Sequence, residues 1–82
     1  MAATENLKIY LKNELVNKRA ELGISQERMA EYLNISLRSY SNLEHGKYCF
    51  ALATFINYVN NCNVDKEKLF SDMEEILSNC DE

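Results

Sequence analysis

Residues 25–46 read SQERMAEYLNISLRSYSNLEHG, and two short helices are written into them. Ser25 has a side chain able to accept a hydrogen bond from an orphan N–H at a helix start, so it predicts an N-cap. About two helical turns follow from Gln26 to Leu33, with Met29, Ala30 and Leu33 on the inner side. Asn34 stops that helix, because Asn is the residue after Gly that best tolerates positive φ. Ile35 then drops toward the core and Ser36 offers a second N-cap. The next helix runs from about Leu37 to His45, with Tyr40 and Leu43 three apart on its inward face, and Gly46 terminates it.

Working outward, Leu7, Tyr10, Leu11, Leu15 and Leu22 are spaced by three, four or seven and form the stripe of an amphipathic helix that starts near Asn6 and ends at Gly23. Beyond a loop at 47–50, a fourth helix is predicted from about Ala51 to Asn60, with Leu52, Phe55, Ile56 and Val59 on its buried side. Asn60-Asn61-Cys62-Asn63 breaks it. Asp65 caps a short fifth segment in which Leu69 and Phe70 face inward, and Met73, Ile76 and Leu77 continue it as a helical tail. The organisation expected is a flexible stretch 1–5, a domain 6–71, and an acidic tail 72–82 available for a dimer contact.

Composition narrows the class. At roughly 100–200 residues per domain, 82 residues make one domain. With 2 Gly and no Pro the chain lacks the punctuation that an all-β fold of this size needs, so the fold class is all-α. No apolar run approaches the ~20 residues of a membrane span. The first residues lack a basic region followed by an apolar one, so a cytoplasmic location is expected. Three cysteines, with no tight pair, suit reduced thiols, and Cys62 suits a small apolar core residue.

The net charge of −4 conceals a gradient. Residues 1–47 carry seven Lys/Arg against six Asp/Glu, a balance of +1, whereas residues 48–82 carry two against seven, a balance of −5. The acidity belongs to the C-terminal part, and a charge asymmetry of this kind hints that one end meets a polyanion.

Two short helices joined by a tight turn, with small Ala30 allowing a close crossing, hold the second helix proud of the surface. That geometry is the helix-turn-helix, at about residues 26–45, in which the second helix enters the major groove. From Leu15 to Lys47, LVNKRAELGISQERMAEYLNISLRSYSNLEHGK resembles the lambda-repressor-like, Xre-type family. Arg19, Gly23, Ser25-Gln26, Ala30, Ile35-Ser36, Leu43-Glu44 and Gly46-Lys47 match in register, and the helical remainder to about Phe70 fits the family's compact five-helix layout.

The resemblance implies roles for particular residues. Leu37, Arg38, Ser41 and Asn42 fall where the family reads base edges, and Arg and Asn have the paired donors or acceptors that guanine and adenine require. Gln26, Ser36 and Lys47 fall where phosphates are touched. Arg19 and Glu44 are implied to form a structural ion pair. Three positions depart from the pattern. Asn34 replaces a usual Gly, Lys18 stands where an apolar side chain is usual and must snorkel or tilt the helix, and Tyr40 replaces Ile or Val and directs its hydroxyl to the DNA-facing edge.

The resulting expectation is a transcriptional repressor that binds a double-stranded DNA operator as a homodimer. An alternative is a protein-interaction module on the same scaffold, such as an antitoxin that binds a toxin. The alternative is favoured by thin positive charge, since three cations meet three acids between Ser25 and Lys47. Without the motif, Arg38 and Asn42 would be ordinary solvated residues. His45, Cys49, Cys62 and Cys80 are separated by 4, 13 and 18, which fits no common zinc pattern, so neither metal nor cofactor is expected. Enzymatic activity is not expected either, because there is no phosphate loop and no distinctive acid–base pair.

Overall fold

The computed structural model describes residues 2–79, with side chains from residue 5 onward. Cys80 and the acidic Asp81 and Glu82 lie outside the described residues. Five helices follow in order: α1 (Ala2–Leu22), α2 (Gln26–Leu33), α3 (Leu37–Glu44), α4 (Leu52–Asn61) and α5 (Lys66–Asn79). Among the described residues there is no strand, and no helix is long and apolar enough to cross a membrane.

Helix α1 contains no Gly or Pro, so nothing interrupts it before Gly23, whose φ of +67° turns the chain away. It begins at Ala2, so the stretch 1–5 expected to be flexible is helical from its second residue. Leu11 and Leu15 face the core. Lys18 snorkels: its stem is covered while Nζ donates to the Asn63 carbonyl oxygen at 3.2 Å, tying α1 to the turn before α5.

Helix α1 packs on α3 and α5, and α2 packs on α3 and α4. Their shared core holds Leu15, Met29, Leu33, Tyr40, Tyr58 and Leu69, each at most 2% exposed, and the small Ala30 and Cys62 fill between them. Complete burial of one such aliphatic side chain contributes about 2 kcal/mol. Burial also pushes the Cys62 thiol pKa up, so it packs as an apolar group.

The C-terminal half differs from the expectation in two ways. The short fifth segment and the expected helical tail form one unbroken helix to Asn79, because neither Ser71 nor Asp72 ends a helix and Asp72 is held by Tyr10 (2.8 Å) and Lys68 (3.1 Å). The buried face of α4 is also rotated. Thr54, Tyr58 and Cys62 face inward, Phe55 and Val59 are half-buried, and Leu52 and Ile56 are exposed at 76% and 49%. Phe70, expected inside, is 48% exposed. An apolar arc that covers most of the circumference of α4 cannot all meet one core, and the polar Thr54 and Tyr58 take the central positions because α2 and α1 lie there. After α3, Tyr48 and Cys49 are exposed, whereas Phe50 folds back edge-on against Phe55 and Tyr58.

Candidate nucleic-acid interface

Local chemistry fixes the α2–α3 pair. Ser25 Oγ accepts from the Arg28 N–H at 3.1 Å and so caps α2. At the other end Asn34 adopts φ 59°, ψ 44°, and two backbone bonds close the turn: Asn34 N–H to the Glu31 oxygen, 3.1 Å, and Ile35 N–H to the Ala30 oxygen, 3.0 Å. Asn57 and Asn61 of α4 donate their side-chain amides to the carbonyl oxygens of Leu33 (3.0 Å) and Tyr32 (2.8 Å), which lack helical partners at this terminus. Ser36 then caps α3, accepting from the Ser39 N–H at 3.1 Å.

The inner side of α3 is anchored by a buried polar cluster centred on Glu44, 8% exposed. Arg19 Nε donates to Glu44 Oε2 at 2.6 Å and Gln26 Nε2 to Oε1 at 2.9 Å, while the Tyr40 hydroxyl donates to Oε2 from within α3. Burial alone would raise the Glu44 pKa, but the hydrogen bonds from Arg19, Tyr40 and Gln26 outweigh it and hold the carboxyl below its ordinary value. Tyr40 moves the other way: burial, and then donation to an ionised acceptor, push its pKa above the usual phenol value. Tyr40 is 0% exposed, so its hydroxyl is not at a DNA-facing edge as expected from the sequence. A phenol replacing an aliphatic residue here can stay buried because the carboxylate beneath it needs a further donor.

The outer side is the opposite in character. Leu37, Arg38, Ser41 and Asn42 lie along it at positions i, i+1, i+4 and i+5, one face of a helix. The side chains of Arg38 and Asn42 make no hydrogen bond or ion pair among the described residues. Ser41 Oγ lies 3.3 Å from His45 Nδ1, and that nitrogen sits 2.7 Å from the Ser41 carbonyl oxygen. A protonated Nδ1 therefore donates to the carbonyl and leaves the Ser41 hydroxyl proton free.

The remaining sequence-assigned positions are placed as follows. Gln26 spends one amide N–H on Glu44, which fixes the side chain and leaves the second N–H of the same nitrogen. Ser36 is exposed, but its hydroxyl accepts from Ser39 N–H and donates to Ser39 Oγ at 3.0 Å, so both of its roles are taken up inside α3. Lys47 is exposed just past Gly46, which closes α3 at φ +74°.

Lys12 was not legible as a neighbour of this region. A Cβ on Gly46 would meet its Cδ at 3.2 Å, so the absence of that atom lets the lysine stem run past the end of α3. Thirty-odd residues separate the two in sequence, and no spacing rule links them. Among the described residues Lys12, Arg38 and Lys47 have no ion-pair partner, whereas Lys8, Lys18, Arg19, Arg28 and Lys68 each have one. The cations left unpaired around α3 can therefore meet an external anion without first breaking an internal bridge.

No residue of α2 or α3 lines the groove of ≈ 340 Å³ between α1 and the start of α5. What α3 offers is a convex ridge of donors, and a convex helix suits a groove in the partner. A family model described as helix-turn-helix matches residues 15–69. The chain belongs to the lambda-repressor and Xre-like helix-turn-helix family. Comparison with curated proteins and with solved structures gives no match. Members of the family are DNA-binding regulatory domains, and the matched span runs from the middle of α1 to the first turn of α5. It contains the whole helix pair and the Arg19–Glu44 ion pair, and leaves most of α5 outside.

Proposed function

We propose that this helix-turn-helix protein is a sequence-specific transcriptional repressor that lays α3 into the major groove of an operator as a homodimer. One observation carries the reading: α3 is anchored on its inner side by three donors converging on Glu44, while Arg38 and Asn42 on its outer side have no partner among the described residues. Arg38 reads guanine O6 and N7, Asn42 reads adenine N6 and N7, Leu37 meets a thymine methyl, and Ser41 donates to a base edge. Lys47 and the spare N–H of Gln26 contact phosphates and set the register. Ser36 is the weakest of the phosphate assignments, since its hydroxyl is engaged by Ser39. Repression follows from occupancy: a bound dimer blocks polymerase.

The second reading, a protein-binding module such as an antitoxin, draws on the balance of three cations and three acids between Ser25 and Lys47. A polarisation titration against random-sequence DNA, followed by operator selection, separates the two. The repressor should show salt-dependent binding and yield a palindromic motif with half-sites about one helical turn apart. Absence of both outcomes would sink the repressor reading.

A further inference from the structure

From Cys49 to Val64 the chain carries no charged residue, yet α4 within this stretch is not wrapped by the rest of the protomer. Leu52, Phe55 and Ile56 recur at helical spacing along its outer flank. Phe55 meets Phe70 of α5 edge-on, with ring centroids 6.0 Å apart, and Leu77 continues the line two turns further along α5. Helix α4 and the C-terminal helix therefore both contribute exposed apolar residues to this flank, the α5 pair Phe70 and Leu77 having Glu74 beside them.

We infer that this flank, Leu52, Phe55, Ile56, Phe70 and Leu77, is where a second copy of the chain docks. The inference rests on the homodimer of the reading above and gives that dimer a surface. Size is the first support. Leu52, Ile56, Phe70 and Leu77 are 76%, 49%, 48% and 51% exposed. That amounts to roughly 400 Å² of exposed surface on apolar residues per protomer, within the ~300–600 Å² of a monomer's largest patch, which is often an interaction site. Doubled across a twofold axis, and with the half-buried Phe55 and its neighbours added, the contact reaches the ~1,000 Å² at which specific interfaces begin.

Charge selects the occupant. An acidic or basic partner would find no opposite charge on α4, whereas a twofold contact sets an uncharged helix against its own uncharged copy, and charge depletion is what marks the centre of an interface. The dimensions also agree. A body of 37 × 25 × 21 Å joined to its copy along one flank sets equivalent points tens of ångströms apart, which is the range of the ~34 Å between successive half-sites.

Sedimentation equilibrium of the full chain without DNA tests the surface. The wild type should self-associate to a dimer, and Leu52→Glu and Ile56→Glu should each weaken association by about 100-fold or more, because each buries an unpaired charge in the contact. Ile9→Glu, on the exposed side of α1, should leave association unchanged. Because Leu52 and Ile56 are largely exposed in the protomer, thermal unfolding of the variants at concentrations where the wild type is monomeric should match wild type. A wild type that stays monomeric, or a dimer indifferent to Leu52→Glu, overturns the inference. A dimer that fails on Leu52→Glu supports it even if the DNA titration is negative, in which case the repressor reading falls alone.

Discussion

In the α2–α3 half, Tyr40 gives its hydroxyl to a carboxylate that Arg19 and Gln26 also enclose; in the α4–α5 half, Tyr58 gives its hydroxyl to Glu14, 3.1 Å away, on the wall of an open groove. Both tyrosines are 0% exposed, and in both burial raises the phenol pKa, with a carboxylate adding to the effect. Their acceptors differ. Glu44 has no route to solvent that would replace its donors, whereas Glu14 is half-buried and water can reach it. A similar bond thus locks one half and merely finishes the other, and the locked half is the one that presents the ridge of α3.

The largest difference between the two halves is expected for Glu44→Ala against Glu14→Ala. Removing Glu44 strands Arg19, Tyr40 and Gln26, and urea unfolding should show a loss of about 3 kcal/mol, the lower end for a buried pair because Arg19 is partly exposed. Glu14→Ala should cost about 1 kcal/mol. Equal losses would mean that the enclosure of Glu44 adds nothing.

Alkali should act on both halves. A phenol whose folded pKa is raised contributes stability that is complete below its unfolded pKa of about 10 and is lost as pH rises beyond it. With Tyr40 and Tyr58 together the slope is nearly 3 kcal/mol per pH unit above about pH 10, so their ionisation, followed ring by ring by nuclear magnetic resonance, should coincide with loss of helical circular dichroism. Ionisation ahead of unfolding would show that neither hydroxyl is enclosed. Acid should act on the first half: the contribution of Glu44 is complete above its ordinary pKa of about 4.3 and fades as pH falls through its lower folded value.

On the outer side of the locked half, Arg38→Ala should relax preference at one operator position by about 2 kcal/mol, while Gln26→Ala should weaken binding to all sequences alike. Competition titrations with single-base operator variants read the difference. The smallest effect belongs to the open half. Leu52→Ala should change monomer stability by less than about 0.5 kcal/mol, whereas Leu33→Ala, in the shared core, should cost about 3 kcal/mol.

What was legible in the sequence divides along the same line. The ends of α2 and α3 are set by Ser25, Asn34, Ser36 and Gly46, each acting within four residues of itself, so local chemistry suffices to place them. The Glu44 cluster was half legible: Arg19 and Glu44 carry a motif and Tyr40 lies one turn before Glu44 on α3, but the donation from Gln26 depends on how α2 and α3 converge. In α4 the apolar residues occupy so wide an arc that spacing cannot say which of them meet the core. Leu52 and Ile56 lost those positions to Thr54 and Tyr58, which the pattern ranked as less apolar. Phe70 was misplaced for a related reason, since its neighbour Leu69 takes the core position and leaves Phe70 at the edge against Phe55.

Asn57 and Asn61 gave up two side-chain amides to hold the last carbonyls of α2, and they project from the same helix whose far flank carries Leu52 and Ile56. They act as a pair of struts between two surfaces with different tasks. A partner seated on α4 would be joined through these two bonds to the end of α2, next to the turn at Asn34. In the dimer proposed above, that direct path would let the contact on α4 set the separation of the two α3 helices. The proposed dimer should then bind an operator with one base pair inserted at its centre more weakly, which a titration of spacer variants would measure.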